Sequence, residues 1–494
     1  MSSTTSTPHH GVTGKRRGAT NLLIATLLAA TLLAGCGGQV NTPLDTGTTP
    51  QPRTSATPRA TRTTGSGSSA TYGKLDPTFG EGGMVTTEFG NSDQARALVV
   101  QPDGRIVVAG EVWAMPEDTP SFGLARYNSD GTLDEKFGKD GKVVTKLADE
   151  YDYSRVYDLA LQDDGKIIAV GSAVHPDLRG EVFAIARYNA NGTLDKTFGK
   201  GGKVLTNIVA AEDGPEESAR AVAIQPDGKI VVAGATGEYV SDFAVVRYDK
   251  NGKLDTKFGK GGKAVTDIMG LDVAEAVSLQ PDGKIVVAGH ATDETAKDDF
   301  AVVRYLPNGK LDTTFGEGGK AVTNFMGGED RTFDMVLLPD GKLVAAGSAQ
   351  VGGEWCQTTD GVTKICDKFG YALARYNQDG SLDTGFGEEG TALLEAEETG
   401  EAHAIALLDD GRLALGGHFD FDEFAVLLVN EDGTVDSSFG EGGLLKTNVS
   451  QVVDSIEAIG MQEDGKLVAA GYANVNEHDA LNEDFAVLRY TLDR

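Results

Sequence analysis

Leu75-Asp76-Pro77-Thr78-Phe79-Gly80 is the stretch whose reading decides the fold. The phrase LDxxFG returns at Leu133, Leu194, Leu254, Leu311 and Leu382 and, with valine in first place, at Val435; an eighth copy is cut off at Leu492 and Asp493. Successive starts lie 58, 61, 60, 57, 71, 53 and 57 residues apart. Self-similarity at such a period marks a solenoid, propeller or array, whose units bury their faces against one another. It overrides the two or three domains that 494 residues would otherwise suggest.

One repeat, read outward from the phrase, contains four strands. In AVAIQPDGKIVVAG, from Ala221, two apolar runs flank Pro226, Asp227 and Gly228, a turn in which glycine accepts positive φ and aspartate caps its own backbone. A third run covers Asp242 to Tyr248, a second turn falls at Asn251 and Gly252, and a β-branched run, AVTDI, follows the phrase. Four strands with tight turns in about 60 residues make one blade of a β-propeller. The PDG-type aspartate recurs at Asp103, Asp164, Asp227, Asp282, Asp340, Asp410 and Asp464, and the aromatic opening the third strand at Phe122, Phe183, Phe243, Phe300, Tyr371, Phe424 and Phe485. Arginine stands four residues after that aromatic in every copy except one, where Leu428 replaces it. The expectation is an all-β, seven-bladed propeller of four-stranded blades. Its last blade takes three strands from the C-terminal end and its outer strand from residues 75–89, which removes open sheet edges.

The first 72 residues differ in kind. Lys15, Arg16 and Arg17 precede an apolar run from Leu22 to Ala34, too short to span a bilayer and placed like a secretory signal. Leu33-Ala34-Gly35-Cys36 resembles the lipobox of bacterial lipoproteins, which implies cleavage after residue 35 and lipidation of Cys36. Residues 36–72 are rich in Thr, Ser, Pro and Gly and read as a disordered tether. Residues 73–494 form the propeller. An outer-membrane or cell-surface address, held to the membrane by the N-terminal lipid, is expected. Six of the 44 basic residues and one of the 74 acidic residues fall within positions 1–72, so the remainder carries a net charge of −35. Such a surface repels nucleic acid and anionic lipid; it would suit cations or a basic partner.

GKLDTKFGKGGKAVT, QPDGKIVVAG and FAVVRY together resemble the delta-60 repeat family, and their turn and strand grammar is similar to the NHL repeat. The resemblance runs from Leu75 to Asp493 and implies an exported or surface propeller used mainly for binding. It supplies no catalytic residue.

Three cysteines occur: Cys36, and the pair Cys356 and Cys366 inside the longest repeat, which an oxidising compartment would allow to join as a disulfide. A residue identical in every blade answers a need that every blade has, so Arg247 with Asp255, and their counterparts, are expected to fix turns by ion pairing. The pattern at Asp249, Asn251 and Asp255 shares part of a calcium loop's spacing but lacks its bidentate glutamate.

Function is sought where the blades differ. The loops after the second and fourth strands share one face and hold Trp113, His175, Tyr239, the run Glu354 to Asp367 with Trp355, Phe419 and Phe421. Counting back five positions from Gln101 and its equivalents gives Arg96, Tyr157, Arg220, Glu275, Phe333, His403 and Glu457; one position later, Asp158 and Asp334 replace an alanine found in the other blades. These residues would gather near the channel mouth, as a ligand or cation site or as contacts between blades. The preferred reading is a surface propeller binding an extracellular or periplasmic protein, peptide or glycan. A structural or adhesion module of the envelope is the first alternative. The second is a calcium-dependent hydrolase or lactonase-like enzyme, unsupported by any GxSxG, HExxH or dinucleotide glycine pattern. No cofactor is expected apart from the calcium of that last reading.

Overall fold

In the computed structural model of the protein, the described residues are 72–492 without 114–118, 148–152, 179, 210–213, 215, 238–240, 294, 358–362, 395–398, 420–422, 451–453 and 475–481, and without the side chains of 354–366. Cys36, the signal and the tether up to residue 71 lie outside them, as do Tyr239 and Phe421; Tyr72, expected as the last tether residue, belongs to the ring. Among the described residues there is no helix.

The strands form seven sheets of antiparallel neighbours, the seven blades of a propeller. Their first strands, Asp93–Val100, Ser154–Leu161, Ser218–Ile224, Asp272–Leu279, Asp330–Leu337, Gly400–Leu407 and Asp454–Met461, stand next to one another around the axis, the seventh against the first. In the first blade the chain then runs outward through Ile106–Val112 and Ser121–Tyr127 to a short outer strand, Lys142–Thr145. The PDG and NG turns therefore share one face and the variable loops the other. In the seventh blade, Leu467–Ala473 and Asp484–Thr491 are followed by no further strand from the C-terminal end. Met84–Thr87 pairs with Asp484–Thr491 instead, and Lys74–Leu75 pairs farther along the same strand. The expected closure is present, with a refinement: of residues 75–89, the phrase itself is a turn and the outer strand is confined to four residues. The long insertion of the fifth blade, expected as a loop, extends a hairpin, Leu343–Gln357 with Thr363–Tyr376.

The apolar core is divided into seven clusters, one between each neighbouring pair of blades. No blade buries both faces alone, so the ring is stable only when complete. The repeated phrase supplies the polar half of each junction. In its first copy the Asp76 carboxylate accepts the backbone N–H and hydroxyl of Thr78 at 3.0 and 2.7 Å, Phe79 is fully buried, and Gly80 takes φ +53° where a Cβ would lie 2.2 Å from the Met84 carbonyl. Arg489 Nε donates to Asp76 at 2.9 Å, its guanidinium lies 4.7 Å over the Phe79 ring, and Nη1 donates to the Ser129 carbonyl in the turn of the next blade. Arg126, Arg187, Arg247, Arg304 and Arg375 repeat the arrangement, with Ala190, Lys250, Pro307, Gln378 and Glu431 as acceptors. Burial alone would raise the pKa of Asp76, yet the Thr78 hydrogen bonds and the charges of Arg489 and Lys466 bring it down to about 2.

Leu428 now has an explanation. The seventh blade follows, and among the described residues no NG turn of that blade stands where an arginine at position 428 would find its acceptor. Tyr72 occupies that place. Its carbonyl accepts Gly440 N–H at 2.8 Å, as turn carbonyls do elsewhere, its ring meets Phe439 edge to face at 5.5 Å, and its hydroxyl donates to Asp436. Arg412 approaches from the PDG-type turn to pair with Asp436 at 2.8 Å. The chain thus enters the ring on the turn face.

Removing residues 72–89 takes away Tyr72, Phe79 and an outer strand together. We expect the midpoint of thermal unfolding to fall by about 10 °C or more; an unchanged single transition would show that the seam does not close the ring. Tyr72→Ala alone should cost about 2–4 kcal/mol in denaturant unfolding.

Candidate functional site

Every first strand carries a β-bulge at the same place. The pairing with the second strand shifts between Ala95 and Ala97, Val156 and Asp158, Ala219 and Ala221, Ala274 and Ala276, Thr332 and Asp334, Ala402 and Ala404, and Ile456 and Ala458. The skipped residues are Arg96, Tyr157, Arg220, Glu275, Phe333, His403 and Glu457, the set reached by counting. A bulge adds one residue to a strand and re-aims its side chain. The partner strand permits it through the glycine of each IVVAG-type run: at Gly110, Gly171, Gly234, Gly289, Gly347, Gly417 and Gly471 a Cβ would lie 1.8–2.0 Å from a carbonyl oxygen of the bulged strand. Each blade therefore presents one unlike residue at the start of its inner strand, at the end of the channel that belongs to the loop face.

Most of the set comes together in two runs. Arg96 Nη1 donates to Glu457 at 2.8 Å; Glu457 also lies 3.2 Å from His403 Nδ1, whose Nε2 is 3.5 Å from Glu401. Phe333 packs on the His403 ring at 5.1 Å and His418 at 5.2 Å. The other run joins Arg220 to Glu275 at 3.5 Å, with the guanidinium 4.6 Å over the Tyr157 ring. Burial alone would lower the pKa of His403, but Glu457 and Glu401 raise it to about 10, so the ring is an imidazolium at neutral pH. Burial would raise Glu457, and Arg96 with His403 hold it far below the usual carboxylate range. Beside that imidazolium, burial and the charge of His403 push His418 down to about 4.

Asp158 and Asp334 do something else. Each caps a backbone N–H of the next blade, Val222 at 2.7 Å and Ile405 at 2.9 Å, while accepting its own neighbour's N–H. Burial raises their pKa values to about 7 and about 6, and Asp334 adds to the shift of Asp158. Of these readings for the two aspartates, the one the hydrogen bonds favour is contact between blades.

Two positions escaped the sequence reading. The residue two before the bulge supplies Arg155 and Arg331, paired with Glu111 at 2.8 Å and Asp298 at 2.7 Å. The residue after the repeated glycine supplies Glu111, His290, His418 and Tyr472, the last 5.5 Å beneath the Arg96 guanidinium. Both positions vary among the blades, and that variation is the signal that would have found them. Trp113 is not part of the mouth set: it directly follows the second strand of the first blade, with its backbone N–H donated to Asp93 at 3.1 Å. His175 is a half-buried residue at the start of a turn, its Nδ1 accepting the Asp177 backbone N–H at 3.2 Å. Phe419 belongs to the core rather than to a recognition loop, under the ammonium of Lys446. The side chains of Trp355, Cys356 and Cys366 fall outside the described residues; the backbone register sets Cys356 opposite Lys364 and Cys366 opposite Glu354.

At the mouth, Glu275, Glu457 and His403 are committed to one another and to arginines, and a protonated imidazole offers a cation no lone pair. The grouping among the described residues that would suit a hard cation is elsewhere: Asp242, Asp267 and Asp272 bring ligand oxygens within 4.8 Å of one another between the third and fourth blades. There Asp272 already accepts the Ile268 N–H at 2.5 Å, and burial first, then the nearby Asp267 and Asp242 charges, raises it to about 6.

The class that this geometry defines is a seven-bladed repeat β-propeller. The family model described as "Domain of unknown function (DUF5122) beta-propeller" matches residues 101–137, 162–198, 225–258, 280–315, 369–386, 408–439 and 462–493, one segment in each blade. No curated protein matches the sequence. Among solved structures, a protein of unknown function from Dyadobacter fermentans aligns at 13% identity over 85% of this chain and 100% of its own, with a TM-score of 0.42. A polysaccharide lyase of family PL25, an ulvan lyase, aligns at 13% identity over 82% and 95%, with a TM-score of 0.44. A GH93 α-L-arabinofuranosidase of Fusarium graminearum aligns at 8% over 85% and 96%, with a TM-score of 0.41. At these identities no activity follows for this chain.

Raised carboxyl pKa values mean that the folded state holds protons the unfolded chain releases. The stability they bring is complete below the unfolded value near 4 and is lost as pH rises through 6 and 7. The protein should therefore be more stable at pH 5.5 than at pH 8. Replacing both Asp158 and Asp334 by alanine, the residue of the other blades, should remove about 1–3 kcal/mol of that difference. Denaturant titrations across this range check it; an unaltered slope would show that the two carboxyls titrate normally.

Proposed function

We propose that the protein is an exported, lipid-anchored recognition propeller that binds a protein, peptide or glycan at the cell envelope through its loop face, with the channel mouth as the seat of the ligand. The observation that carries this reading is the division of labour between repeated and unrepeated residues. The repeated arginines, aspartates and tyrosines are spent on junctions between blades. The bulge ring, built by one backbone device in all seven blades, instead displays seven positions of mixed charge and aromatic character. The bulge itself serves every blade, whereas the residue it displays is free to differ from blade to blade, and a binding site needs both the fixed geometry and the variety. The lipobox-like run Leu33 to Cys36 supports the address, and residues 36–71 would serve as a tether whose r.m.s. reach is roughly 30–36 Å.

The mature chain, beginning at Cys36, is to be screened against glycan and peptide arrays. A ligand retained by the native protein and lost in Tyr157→Ala with Arg220→Ala, at unchanged thermal midpoint, is the expected result. Binding insensitive to those changes would move the site off the mouth, and absence of any ligand would favour the structural module. Cys36→Ser should shift the protein from the membrane fraction to the aqueous one.

A further inference from the structure

The arginines are distributed in a way that the propeller itself does not require. Among the described residues, Arg126, Arg187, Arg247, Arg304, Arg375 and Arg489 clamp junctions, and Arg105 and Arg412 stand at the basic position of the PDG-type turns. The other arginines among the described residues are Arg96, Arg155, Arg220 and Arg331, and all four lie on inner strands at the bulge or two residues before it. They are concentrated at one end of the channel in a head whose surroundings are strongly acidic.

Their pairing is one-sided with respect to solvent. The side chains of Arg96, Arg155, Arg220 and Arg331 are 28–46% exposed, whereas Glu457, Glu111, Glu275 and Asp298 are 12–14% exposed; only the second carboxylate of Arg331, Glu329, is open to solvent at 33%. In each of these pairs the carboxylate is the more deeply buried partner and the guanidinium side chain keeps more of its area exposed. A guanidinium has five donors in a planar fork. Arg220 uses Nε on Ser218 and Nη1 toward Glu275, and Arg331 uses Nε on Asp298 and Nη2 toward Glu329, which leaves donors on each fork for a ligand. Planar surfaces alternate with these donors: Tyr157 under Arg220, Tyr153 under Arg155 at 4.6 Å, and Phe333 against His403. Beside them stand acceptors for hydroxyl groups, Ser218 and the Glu275 carboxylate.

Resting on the binding reading above, we infer that the mouth takes a carboxylate-bearing saccharide, such as a chain containing uronic acid. The carboxylate matches the exposed guanidinium forks, the ring hydroxyls match Ser218 and the Glu275 carboxylate beside them, and the C–H face of the sugar stacks on Tyr157 or Phe333. A nucleic acid brings many closely spaced phosphates toward a head of net charge −35 and is repelled. A neutral sugar would leave the exposed forks unused, and an acidic peptide has no ring face and few hydroxyls.

The test is calorimetric titration of the mature chain, at 0.15 M salt, with three acidic probes: trigalacturonate, a hyaluronan tetrasaccharide and sialyllactose. The neutral counterparts of each and an Asp/Glu hexapeptide serve as comparators. At least one acidic saccharide should bind saturably, with its neutral counterpart weaker by about tenfold or more. Arg220→Gln and Arg155→Gln should each weaken it by a similar factor without moving the thermal midpoint, while Lys229→Gln, on the turn face, should change nothing. Equal affinity for the neutral counterpart overturns the inference and leaves the binding reading standing, as does tighter binding of the hexapeptide. Binding of none of the acidic probes also overturns it. The broader reading falls only when the arrays yield no ligand that depends on the mouth.

Discussion

The structure depends on a guanidinium that reaches from one blade into the next. Each clamp arginine rests on a buried phenylalanine, pairs with the aspartate of its own phrase and donates to a carbonyl in the following turn. Three interactions of different kinds converge on one planar group, and each is of the type that gains strength in a sheltered setting. Because the acceptor always belongs to the neighbour, a blade is complete only when the next one is present. The rule explains its own exception: where the next blade lacks the turn, the arginine is replaced by Leu428 and Tyr72 fills the gap.

Most of the fold was legible from the repeat, for physical reasons. Turn glycines, β-branched runs and the phrase recur at one period, and the outer strand ahead of the first inner strand is complementary to the three strands of the last repeat, with which it pairs. The phrase itself was read too simply. Asp76 to Gly83 is a turn locked by side-chain hydrogen bonds and left-handed glycines, and only Met84–Thr87 is the strand. Phe419 looked like a recognition residue because it followed the last apolar position of a strand, yet tertiary packing buries it under Lys446.

The candidate site was half legible. Counting from the Gln101 equivalents found all seven bulge residues because the bulge, like the turns, is a repeated device. It did not find Arg155, Arg331 or Glu111, since only the three-dimensional register shows that residues two before the bulge and one after the glycine converge on the same rim. Nor did it separate Asp158 and Asp334 from their neighbours, although both are turned toward an adjoining backbone rather than outward. Spacing identifies which residues are equivalent; it does not say which way each one faces.

The seam also has a bearing on orientation. Tyr72 joins the ring at the place of an NG turn, so whatever precedes it leaves from the turn face, while the bulge ring opens on the opposite side. Under the anchorage proposed for Cys36, a tether joining at Tyr72 would moor the head by its underside, like a buoy, and would leave the arginine-lined mouth on the opposite side uncovered.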